Sequence, residues 1–157
     1  MEKIKGFWEK FLLSMDMSER PTEMSYSVWH FLTEDPKDAA FANELAELVR
    51  SGEKTATTTL PLIYQINAIP YPEVGSYHLI TTFEGEPKAI VQAKKITLVP
   101  YQDVSQEHVF KEAEGDRSIE QWQRIHQRFF ADLLTPYNRI FSTDMTVMCI
   151  EFDLVFK

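Results

Sequence analysis

The segment Gly52-x-Lys54-x-x-Thr57 brings a glycine, a lysine and a threonine into six residues. A lysine in a partly dry pocket loses proton affinity and can act as a base. A threonine hydroxyl needs such a base to become a nucleophile. On a regular extended strand, residues 54 and 57 point to opposite faces because they are an odd number apart. They converge only where the chain bends, and Gly52 supplies a turn just ahead of them. The plain alternative is a surface lysine followed by a β-strand threonine.

A second candidate is Glu112-Ala113-Glu114-Gly115-Asp116-Arg117-Ser118. Residues 101–120 hold six acids against two bases. Crowded carboxylates repel one another, and one of them can be held protonated for acid–base work. A solvated acidic loop capping a helix is the simpler reading, since acids favour helix N-termini. Trp29, Tyr64, Trp122 and His126 form a third set. Trp122 and His126 are spaced i, i+4 and share a helix face. Such rings could stack a planar base, worth roughly 1–3 kcal/mol. Asp116 and Arg117 complete the candidate substrate contacts. His30, His78 and His108 show no metal-like spacing, and no cofactor motif is present: GxGxxG, Walker, HExxH and GxSxG elements are all missing.

These residues must be positioned by the elements around them. Ile4, Phe7, Trp8, Phe11 and Leu12 follow a helical spacing, which predicts an N-terminal amphipathic helix. It packs on the domain or serves a dimer contact. Residues 16–24 are polar with Pro21, a loop. Residues 26–31 alternate and read as a strand. Asp35-Pro36 starts a helix that runs to about 50 and ends at Gly52. Four threonines in residues 54–59 favour an extended segment. A helical turn follows at 60–67. Residues 77–83 and 89–99 read as a hairpin joined through Glu84-Gly85-Glu86-Pro87. Residues 104–113 suggest a short helix. Ser118 caps a longer one bearing Ile119, Trp122, Ile125, His126, Phe129, Phe130 and Leu133 on one face. Residues 145–156 close the chain as a strand. The sum is an α+β domain with mostly antiparallel pairing over 25–157, preceded by a helical extension over 1–24.

With 157 residues, the chain is the size of one domain and buries roughly 70% of its unfolded surface. The single cysteine, Cys149, closes no intrachain disulfide and anchors no CxxC zinc site. No apolar run nears the roughly 18 residues of a membrane span. Glutamates interrupt the N-terminal apolar stretch, so it does not read as a signal peptide. The expected compartment is the cytoplasm. A net charge of −8 argues against sequence-blind gripping of a long nucleic-acid backbone. A local pocket for one nucleoside remains compatible with it.

The segments SGEKTATTTL (51–60), SVWHF (27–31), EAEGDRSIEQWQRIHQRFF (112–130) and CIEFDLVF (149–156) occur in the order of a known family. Together they resemble the ASCH family, with its GxKxxT signature, in a bacterial subgroup long held as a domain of unknown function. The resemblance implies a PUA-like fold, a small mixed or antiparallel β-barrel with flanking helices. It implies a nucleoside or single-stranded RNA as partner and no cofactor. Small members of the family hydrolyse N4-acetylcytidine with Lys, Thr and Glu. Others are described as ribonucleases or as non-catalytic RNA-binding modules. Carried over by position, Lys54 is the base and Thr57 the nucleophile. The glutamate is Glu112 or Glu114, with Glu112 favoured.

Overall fold

The computed structural model describes residues 1–21 and 25–157. The end of the loop expected at 16–24, and the junction between extension and domain, lie outside the described residues. Among the described residues, ten α-helices and β-strands succeed one another. They are α1 (Glu2–Ser14), β1 (Ser27–Trp29), α2 (Ala39–Arg50), β2 (Ala56–Thr59), α3 (Pro61–Ile66), β3 (Tyr77–Thr81), β4 (Pro87–Pro100), α4 (Gln106–Glu112), α5 (Ile119–Leu134) and β5 (Thr146–Phe156).

The five strands form one sheet in the order β1-β3-β4-β5-β2, so β1 and β2 are its edges. All pairings are antiparallel except β1 with β3. β1 is shorter than its sequence suggests, ending at Trp29, and Leu32 just beyond it takes a left-handed backbone (φ 68°). Asp35 caps a 3-10 turn that leads into α2 by accepting from the Lys37 amide, with Pro36 in its first position. The chain turns out of α2 at Gly52, whose φ of +85° is left-handed and suits glycine. Ser118 caps α5 by accepting from the Gln121 amide.

Three apolar clusters hold the layers together. Phe31 and the α2 residues Leu45, Ala46 and Val49 pack on Ile80, Val91, Met148, Ile150 and Phe152. Trp122, Phe130 and Leu134 of α5 pack with Leu60, Val147 and Cys149. Trp8, Phe11 and Leu12 of α1 cover Leu79 and Ile90. The apolar stripe of the N-terminal helix is thus used within this chain. Among the described residues, no helix is long and apolar enough to cross a membrane.

Candidate functional site

The edge strand β2 decides which side chains can meet. Thr58 pairs with Cys149 and Thr57 with Ile150. Cross-strand partners share a face, so the two threonines project to opposite sides of the sheet. Thr58 faces α4 and α5, whereas Thr57 faces the side of Ile150, Met148 and Phe31 and is half-buried. Lys54 precedes the strand, in irregular backbone tied down by amide bonds from Glu53 and Lys54 to the Leu48 carbonyl. The residue is only 1% exposed, which is rare for a lysine and calls for full compensation.

That compensation comes from the end of α4. Lys54 Nζ lies 3.2 Å from Glu112 Oε1, 3.4 Å from the Glu112 carbonyl oxygen and 3.3 Å from Glu114 Oε1. An ammonium has three donors, and each here finds an oxygen. The Phe31 ring adds a cation–π contact, with Nζ 5.3 Å from its centroid.

Glu112 is fully enclosed. Its Oε2 accepts from the Thr58 hydroxyl at 2.8 Å and from the Trp122 indole N–H. The Thr58 oxygen also lies 2.7 Å from His108 Nε2. Because Thr58 spends its only proton on a carboxylate, His108 Nε2–H is the donor in that contact. Burial alone would raise the Glu112 pKa. The charges of Lys54 and His126, with hydrogen bonds from His108 and His126, hold it well below the usual range. Burial would likewise depress His108, but Cys149 and Glu112 drive it up to about 9.

Glu114 is arranged differently. Its Oε1 meets Lys54, but among the described residues Oε2 is buried and has no hydrogen-bond partner. His126 Nδ1 stands 3.8 Å from Oε2 and is already 3.0 Å from the Trp122 carbonyl. Burial, reinforced by the neighbouring Glu112, raises the Glu114 pKa against the opposing charge of Lys54. His126 is also raised, since Glu112 and Glu114 outweigh its burial.

Ligand atoms of Glu112, Glu114 and His126 lie within 4.8 Å of one another, a spacing that could suit a metal. The donor set does not fit one well. The Lys54 ammonium already bridges both carboxylates, and Glu112 Oε2 is taken by Thr58 and Trp122. Lys54 is the cation of this cluster.

Of the residues singled out from sequence, the structure gathers Lys54, Glu112, Glu114, Trp122 and His126. Trp122 is buried and stacked with both Tyr101 and His126, at centroid distances of 5.4 and 4.1 Å. It serves as donor to Glu112 and has no free face for a base. Trp29 is half-buried and stacks on His78 at 3.8 Å. Tyr64 is half-buried and meets Tyr71 edge-on. Asp116 is exposed and accepts from the Ser118 amide. The Arg117 guanidinium lies over Phe110 at 4.5 Å. The residues missed were Thr58, His108 and Phe31. Two of them left a signal: Thr58 lies in the same threonine run as Thr57, and His108 is one helical turn before Glu112.

Comparison with known proteins fits this architecture. The family model for the ASCH domain matches residues 27–156. No curated protein matches the chain. Among solved structures, an ASCH domain from Lactobacillus crispatus is similar at 28% identity and a TM-score of 0.91, covering 100% of this chain and 96% of that one. A protein from Enterococcus faecalis, assigned to a family of unknown function, is 32% identical with a TM-score of 0.84, covering 99% of this chain and 89% of that one. With the family model matching residues 27–156 and an ASCH domain structure superposing on the whole chain, this chain belongs to the ASCH domain family, of PUA-like fold.

Proposed function

We propose that the chain binds a nucleoside or an RNA base beside Lys54 and hydrolyses an N4-acylcytidine-type amide there. The observation that carries this reading is the enclosure of the Lys54 amine between Glu112 and Glu114 in a nearly dry site. A surface lysine would have no such partners. Clustered titratable groups shifted in opposite directions are typical of acid–base sites. In the reaction, Lys54 takes the Thr57 hydroxyl proton and Thr57 attacks the acyl carbon. A glutamate protonates the leaving exocyclic amine, and water releases the acyl group from Thr57. The half-buried position of Thr57, on the Phe31 side of the sheet, supports a nucleophile that substrate can reach.

The test is incubation with a panel of acylated and modified nucleosides, read by mass spectrometry. Conversion of N4-acetylcytidine to cytidine is expected from the wild type and not from Lys54→Met or Thr57→Val. Equal rates in those variants, or no conversion by the wild type, overturns the catalytic reading.

A second reading is a non-catalytic module for a modified base. It is favoured by the three oxygens around the Lys54 ammonium, which describe a settled ion cluster. Tight binding of N4-acetylcytidine without turnover, measured by calorimetry, would select it. The buried amine is not disposed to meet a phosphate, so binding of the uncharged nucleoside should change little with salt.

A further inference from the structure

The two glutamates of the site differ in what they have left to give. Both Glu112 oxygens are engaged: Oε1 by Lys54, Oε2 by Thr58 and Trp122. Three donors on one carboxylate favour its charged form, so Glu112 has no reason to carry a proton. Glu114 presents a buried oxygen, Oε2, that accepts no hydrogen bond among the described residues; its nearest ionic neighbour, His126 Nδ1, stands 3.8 Å away. Buried polar atoms are nearly always paired, so an unpaired one asks for an explanation.

The backbone around Glu114 points the same way. Ala113 and Gly115, its two neighbours, both lie in the left-handed region, at φ +59° and +55°, and Arg117 follows at +62°. Two of these three are not glycine, so the loop carries strain that surrounding contacts must hold. One such contact is Gln121, whose side-chain oxygen accepts from the Asp116 amide at 2.7 Å. Its Oε1 lies 2.2 Å from where a Cβ on Gly115 would stand, so any side chain there would push the Gln121 amide away from Asp116. The strained loop thus holds a carboxyl whose second oxygen is buried and accepts no hydrogen bond.

We infer that Glu114 is the group that hands a proton to the ligand's nitrogen, receiving it from Lys54, while Glu112 is a positioning residue that never leaves its carboxylate form. This rests on the catalytic reading above and decides between its two glutamates. The proton count closes. The Lys54 ammonium passes one proton to Glu114, giving an amine and a carboxylic acid. The amine takes the Thr57 proton as the Thr57 oxygen bonds to the acyl carbon. The carbon–nitrogen bond then breaks, its electron pair goes to nitrogen, and Glu114 supplies the proton. Lys54 is left as ammonium and Glu114 as carboxylate. A second transfer of the same kind lets Lys54 deprotonate water. Hydroxide adds to the ester carbon, and Thr57 leaves with the proton from Glu114.

The experiment has two arms. In the first, glutamate carbons are labelled and the carboxyl signals of 112 and 114 are followed by NMR against pH, assigned with Glu112→Gln and Glu114→Gln. The expected result is a Glu114 signal that titrates above the ordinary carboxylate range and a Glu112 signal that stays ionised while the protein is folded. The reverse overturns the inference, whether or not the wild type turns over N4-acetylcytidine. Should Glu112→Gln fail to fold, Thr58→Val assigns the Glu112 signal by removing a hydrogen bond that Glu112 has and Glu114 lacks.

The second arm measures hydrolysis of N4-acetylcytidine and of p-nitrophenyl acetate, whose leaving group needs no proton. Glu114→Gln should lower kcat on both substrates, because Glu114 takes the Lys54 proton and later returns one to Thr57, but the loss should be larger on the amide, about 100-fold or more, whose nitrogen needs a proton to leave. A loss no larger on the amide than on the ester, or a loss confined to Glu112→Gln, overturns the assignment. No amide turnover by the wild type overturns the function proposed above, and the carboxyl titration still decides which glutamate carries the proton.

Discussion

The hydroxyl of Thr58 donates to Glu112 Oε2 at 2.8 Å, across 54 residues of chain. The GxKxxT signature draws the eye to Thr57, yet it is the next threonine that anchors the buried carboxylate. The physical reason is strand parity: Thr58 shares a face with Cys149 and the α4–α5 side, and Thr57 does not.

The two threonines should therefore separate in stability measurements. Thr58→Val removes a donor from a buried carboxylate, which costs about 1–3 kcal/mol. Thr57→Val, at a half-buried position, should stay within roughly 1 kcal/mol of wild type. Urea unfolding of both variants checks this; a larger loss for Thr57→Val would refute the division.

Removing the cation should be more damaging. Lys54→Met leaves Glu112 and Glu114 buried without their counter-charge, a loss of about 3–5 kcal/mol. Adding Glu112→Gln to that variant should restore part of it, because one stranded charge is removed. A double-mutant cycle by chemical denaturation measures the coupling, and simple additivity of the two losses would contradict the ion cluster.

His78 predicts a pH dependence of known sign. Burial pushes its imidazole down to about 4. Above about pH 6.5 it is neutral in both folded and unfolded chains and contributes nothing. Between about 6.5 and 4 the unfolded chain takes up the proton and the folded one does not, so stability falls as pH drops. The full loss is about 3 kcal/mol, reached below about pH 4. His78→Gln should flatten that part of the stability curve, and an unchanged curve would count against it.

His108 works in the opposite sense. With its pKa raised to about 9, it adds stability below about pH 6.5 that is lost as pH rises through about 9. NMR titration of its ring should find it charged at pH 7, and Glu112→Gln should lower its pKa. A neutral His108 at pH 7 would show that Glu112 does not govern it.

Gly115→Ala sets a Cβ against Gln121 in a left-handed residue. The expected cost is about 1–3 kcal/mol, together with displacement of Glu114. Thermal unfolding reads the first, and the Glu114 carboxyl signal reads the second. Wild-type values for both would mean that the loop tolerates rearrangement.

Much of this was legible in the chain. Local rules placed the elements: the Asp35-Pro36 start, the Gly52 stop, the Ser118 cap and the run of β-formers after Met145 depend on neighbours a few residues away. The motif segments named the family, and they singled out Lys54, Glu112 and Glu114. Other features depended on contacts distant in sequence. β1 pairs in parallel with β3, a choice that no local pattern in residues 26–31 encodes. Trp122 became a hydrogen-bond donor packed between rings because α5 lies against the edge strand. The register of β2 on β5 selected Thr58 over Thr57 as the partner of Glu112. The short loop after α4 brought two acids to one amine. Sequence carries residue types and local periodicity. Which oxygen is left without a partner is known only once every neighbouring donor has been placed in space.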